Sequence, residues 1–94
     1  MPTVSTFRGI IISMYYNDHL PPHFHAEYAG RESKIDIEEL TEIVNQGDPP
    51  SSRLPSRQLK IALGWAACHQ QELMDNWELA RAQRPLFKIA PTIE

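Results

Sequence analysis

The first half of the chain alternates apolar and polar residues over short stretches, whereas the second half repeats its apolar residues every three or four positions. That change of period predicts strands followed by helix. Thr3–Phe7 reads as a short first strand that turns at Arg8-Gly9. Residues 10–16, rich in β-branched and aromatic side chains, read as a second strand, and residues 17–22 as a loop. His23–Tyr28 alternates, with Phe24, Ala26 and Tyr28 on one face and His23, His25 and Glu27 on the other. Beyond Ala29-Gly30 the pattern resumes, with Ile35 and Ile37 inward and Lys34, Asp36 and Glu38 outward. Residues 41–44 suit a further short strand, and the proline-rich residues 45–52 connect the two halves.

Pro55 suits a first helical turn. Leu59, Ala62, Leu63, Ala66, Leu73, Trp77 and Ala80 then form one stripe, widened early by Ile61, Trp65 and Cys68. A straight helix over residues 55–82 would run roughly 42 Å, longer than the roughly 25–35 Å globule expected for this chain. A kink, a break near His69-Gln70 or an overhanging end is therefore expected. The fold class is α+β: a small antiparallel sheet of three to five strands, then one long or kinked helix packed on its apolar face. Residues 85–89 form an extended tail packed back on the sheet. Phe24, Ala26, Ile35, Ile37, Leu59, Leu63, Ala66 and Leu73 are the expected core, with Cys68 a small buried hydrophobe. Trp65 and Trp77 fall roughly 120° apart round an ideal helix, so one of them can face a partner.

At 94 residues the chain is sized for a single domain, residues 1–94. No apolar run nears the length of a membrane span, and the start lacks the pattern of a signal peptide. The lone cysteine forms no intrachain disulfide, which points to the cytoplasm. The net charge of −3 argues against a dedicated nucleic-acid binder. The balance is uneven: residues 31–48 carry two positive and six negative charges, residues 49–94 six positive and four negative. Arg8, Arg57 and Lys60 are the cations available for a local phosphate contact.

The chemistry concentrates in Asn17-Asp18-His19-Leu20-Pro21-Pro22-His23-Phe24-His25. His23 and His25, two apart on a strand, project from one face. Two imidazoles so placed can meet one metal ion such as zinc, or act as acid and base at neutral pH. For a metal the set is His19, His23 and His25, with Asp18, Glu27 and His69 as further candidates for the third ligand. The strand after the turn brings in Asp36. Matching core faces leaves two registers, and pairing of opposite charges favours the one with Asp36 opposite His25 and Lys34 opposite Glu27. In either register Asp36 adjoins a histidine, as an orienter of the ring. Asn17 and Asp18 are binding candidates on the same loop. The bland alternative is a loop whose histidines satisfy turn carbonyls. No P-loop, dinucleotide fingerprint or high-specificity zinc spacing is present.

The histidine–proline stretch resembles the signature of small bacterial proteins of the domain of unknown function 4160 family. The resemblance extends to Met1-Pro2-Thr3, Leu54-Pro55, the segment from Trp65 to Leu73, Asn76-Trp77-Glu78-Leu79-Ala80-Arg81 and the ending Pro85-Leu86-Phe87-Lys88-Ile89. It implies a gene neighbour of the domain of unknown function 2442 type, in an arrangement like a toxin–antitoxin or regulatory pair. Three functions are therefore expected in competition: a member of such a pair acting through a small protein partner, with self-association open; a ribonuclease-like toxin using His23, His25 and Asp36 with Arg8, Arg57 or Lys60 on phosphate; and a histidine-based protein holding a divalent transition metal.

Overall fold

The computed structural model describes residues 2–92. Five strands form one antiparallel sheet in chain order: β1 (Thr3–Phe7), β2 (Ile10–Ser13), β3 (His23–Tyr28), β4 (Arg31–Asp36) and β5 (Glu42–Ile43). A short 3-10 turn at Pro50–Ser52 leads into α1 (Ser56–Cys68) and α2 (Gln70–Arg81). The architecture is α+β, as the change of period predicts.

The register of β3 on β4 differs from the one favoured by charge. Tyr28 pairs with Arg31 across a two-residue turn, so Phe24 faces Ile35, His23 faces Asp36 and His25 faces Lys34. Ala29 and Gly30 both have positive φ, 51° and 80°, which a type I′ hairpin turn requires. This tight turn matches strand twist and fixes the pairing. One cross-strand ion pair contributes at most about 1 kcal/mol, so the fold accepts Glu27 opposite Glu32. Strand β2 is also shorter than residues 10–16. After Ser13 the chain departs, and Met14 N–H donates to the Pro2 carbonyl.

One face of the sheet is the core. Ile10, Ile12, Phe24, Ala26 and Ile35 lie there, and α1 covers them with Ala62, Trp65 and Ala66. The Trp65 ring packs 5.0 Å from Phe7 and 6.1 Å from Phe24, centroid to centroid, and donates Nε1–H to the Ala90 carbonyl. With the indole at the centre, Leu59 and Leu63 stay only partly buried, at the margin of the core expected to contain them. Cys68 is exposed, not buried, because it ends α1 where the chain turns away.

The long helical pattern breaks at His69, which ends α1 and starts α2 with φ −127° and ψ 26°. The break keeps the helices within a molecule whose longest extent is 33 Å. It also lets α2 cross the end of the sheet. Gln70 donates to the carbonyls of Ile37 and Glu38 beyond β4, Trp77 meets His23 at the start of β3, and Gln83 donates to Asn17 beyond β2. Both tryptophans are therefore buried. The tail lies beside β1, where Ile89 N–H donates to the Val4 carbonyl. Asn76, fully buried, holds it by pairing with both backbone groups of Phe87.

Candidate metal centre

His23 and His25 point to the same side of β3, opposite Phe24 and Ala26, as their spacing requires. That side is not exposed here: His23 is 3% and His25 7% accessible. Trp77 covers His23 at 5.3 Å between ring centroids, and Tyr15 stacks on His25 at 4.0 Å with an interplanar angle of 16°. The loop after β2 thus folds back over the histidines, and brings Asp18 with it. The two imidazoles lie 5.2 Å apart.

Asp18 is the carboxylate they share. Its Oδ2 lies 3.0 Å from His23 Nε2 and 3.1 Å from His25 Nε2. The other ring nitrogens are also engaged: His23 Nδ1 lies 2.7 Å from the Pro21 carbonyl oxygen and His25 Nδ1 2.8 Å from Glu32 Oε2. Burial alone would raise the Asp18 pKa, but the hydrogen bond from His25, the charge of His23 and the amide of His19 outweigh it and hold the carboxyl below its ordinary range. Tyr15 shifts upward, through burial and the nearby carboxylates of Glu32, Asp18 and Glu27.

The donor set fits a divalent transition metal. A neutral imidazole has one N–H. With each Nδ1–H donated outward, to a carbonyl in one case and a carboxylate in the other, an ion that replaces the Nε2 protons facing Asp18 would meet a lone pair from each ring. Three ligand atoms, one from each of Asp18, His23 and His25, lie within 4.8 Å of one another. A metal-bound histidine characteristically donates its second N–H to a carbonyl or carboxylate in this way. Two imidazoles and one carboxylate suit zinc, iron, nickel or copper, whereas calcium and magnesium take oxygen ligands.

The other site residues named from sequence lie elsewhere. Asp36 faces His23 in the ladder, but its Oδ1 accepts the amides of Glu38 and Glu39 and so caps the turn after β4; the carboxylate on the rings is Asp18. His19 is outside the cluster, with its ring 85% exposed and its Nδ1 3.5 Å from Asp18 Oδ1. Asn17 is tied to Gln83. Glu27 is on the right face but farther along β3, and His69 binds Glu72 and the Thr92 carbonyl. Arg8 sits in the β1–β2 turn, roughly five strand residues or ~16 Å from His23. Arg57 and Lys60 are exposed on the first turns of α1, which covers the opposite face. Glu32 and Tyr15 were not singled out from sequence. Glu32 is diagonal to His25 across the hairpin, a neighbour that the two-residue turn alone implies.

A five-stranded meander with two helices and a His–His–Asp cluster beneath a folded-back loop defines a small α+β protein whose cluster could hold a metal ion. The chain belongs to the domain of unknown function (DUF4160) family, whose model matches residues 9–78 and so takes in the whole cluster. No curated protein and no solved structure matches the chain.

Proposed function

We propose that this protein binds a divalent transition metal, zinc first among them, through Asp18, His23 and His25. The carrying observation is the convergence of both Nε2 atoms on Asp18 Oδ2 while both Nδ1 atoms face acceptors. The ribonuclease reading needs an imidazole nitrogen free to take a proton from substrate. All four ring nitrogens of the pair have protein partners, and the cations offered for phosphate are distant, so metal binding is the better-supported use. Elemental analysis of protein purified without a histidine tag, after exposure to zinc and gel filtration, tests it. One equivalent of metal, lost in His25→Ala, is the expected result; no stoichiometric metal in the wild type overturns it.

A second reading concerns a partner. Tyr16 and Leu20, on the loop that carries Asp18, are exposed apolar residues, Leu20 at 61%. They favour a small protein, such as the neighbour of the domain of unknown function 2442 type, docking on that loop. Co-purification of the two chains, abolished by Leu20→Asp, is the outcome expected of it. No helix among the described residues is long and apolar enough to cross a membrane.

A further inference from the structure

Three protein ligands leave a tetrahedral ion one position short. In catalytic centres water fills it; in structural centres a fourth side chain does. The loop over this site carries a side chain suited to the second role. His19 follows Asp18 directly, and its Nδ1 is 3.5 Å from Asp18 Oδ1, the oxygen not turned toward the two buried rings. Its ring centroid is 6.2 Å from that of His23. The ring is 85% exposed, and its contact with Asp18 is long for a hydrogen bond. Turning it inward therefore breaks little and buries an aromatic surface beside His23. The other three ligands are held: His23 and His25 on a paired strand, and Asp18 by the His19 amide at 3.1 Å and by both rings.

We propose that His19 is the fourth ligand, swung in when the ion arrives, so that the loaded centre is a closed three-histidine, one-aspartate tetrahedron without an exchangeable water. This deepens the metal-binding reading and rests on it. It also commits the centre to holding or sensing an ion rather than to hydrolysis, because a closed shell offers no metal-bound hydroxide. The neutral His19 imidazole supplies a lone pair and the loop moves by side-chain rotation, so no covalent bond is made or broken.

Cobalt(II) is the probe, since its visible absorption reports coordination number and ligand exchange. Wild type, His19→Ala and His25→Ala are titrated with cobalt and with zinc, and azide is then added to each cobalt form. The expected result is tetrahedral cobalt in the wild type that azide leaves unchanged. His19→Ala should bind at least about 10-fold more weakly, the loss seen even for a group that only supports a ligand, and its spectrum should respond to azide. Equal affinity of wild type and His19→Ala, or an azide response already present in the wild type, overturns the fourth-ligand proposal and leaves the three-residue centre standing. No binding by the wild type, or undiminished binding by His25→Ala, overturns both. Unchanged thermal unfolding of metal-free His19→Ala, expected for so exposed a ring, separates lost coordination from lost fold.

Discussion

The Pro21 carbonyl oxygen lies 2.7 Å from His23 Nδ1, while Asp18 Oδ2 lies 3.0 Å from the Nε2 of the same ring. A carbonyl only accepts, so Nδ1 donates and Nε2 is left for Asp18 or an ion. Metal that binds this preset arrangement stabilises the folded state by mass action, about 2.7 kcal/mol at a hundredfold excess over Kd. For a domain of this size the thermal midpoint should rise by roughly 10–20 °C. Differential scanning calorimetry with and without zinc measures it, and an unmoved midpoint in the wild type speaks against the site.

Glu32 should act on the metal through His25. Its carboxylate accepts from Nδ1 at 2.8 Å and is itself 43% exposed. Glu32→Ala should weaken zinc binding by about 10- to 100-fold while leaving the unfolding midpoint of metal-free protein nearly unchanged. Competition with a chromophoric chelator gives the affinity. Undiminished binding would show that the Glu32 contact does not orient the ring.

Asn76 should be among the most sensitive positions for stability. It is fully buried, and it satisfies both the N–H and the C=O of Phe87. Asn76→Ala leaves two backbone groups unpaired and should cost about 2–4 kcal/mol in urea unfolding. A loss below about 0.5 kcal/mol, the usual effect of a surface substitution, would mean that the tail finds other partners.

His69 should make stability depend on pH. Burial alone would lower its pKa; the hydrogen bond and charge of Glu72 and the Thr92 carbonyl reverse this and raise it above the ordinary 6.5. A raised folded-state value contributes stability that is fully present below pH 6.5 and is lost as pH rises through the folded value. The stability difference between wild type and His69→Gln should therefore shrink from pH 6 toward pH 8. A difference that is flat or grows over that window refutes the linkage.

Ala29 carries strain that another residue relieves. Its φ of 51° lies in the left-handed region, disfavoured by roughly 1–2 kcal/mol for most side chains but tolerated by asparagine. Ala29→Asn should therefore stabilise the protein by about 0.5–1 kcal/mol, read as a higher urea midpoint at unchanged slope. A lower midpoint would mean that the turn is not the I′ type inferred.

The same alanine explains what could be read from the chain and what could not. Alternation in His23–Tyr28 placed both imidazoles on one face, and the 3.6-residue stripe with its excess length predicted a break where His69 makes one. The register is hidden because Ala29-Gly30 lacks the asparagine that advertises a type I′ turn, and backbone twist outweighs the charge pair that favours the other pairing. Asp36 adjoins a histidine in either register, but the turn after β4 takes its carboxylate, and only the observed register brings Glu32 to His25. Asp18 was identified as a candidate, but its role depends on how residues 14–22 fold back, and loop paths have no periodicity to read. Cys68 fits the apolar stripe, yet the helix ends under it and leaves it in water.

Trp77, lodged against His23 at one end of the sheet, has an optical consequence. An indole beside an imidazole changes its emission when that ring gains a cation, whether a proton or an ion. The second indole, Trp65, packs on Phe7 and Phe24 on the far side of β3 and lies 5.2 Å from the His69 ring, outside the Asp18 cluster. A metal seated at Asp18, His23 and His25 should therefore change the light of Trp77 alone, whereas acid should change that of both indoles.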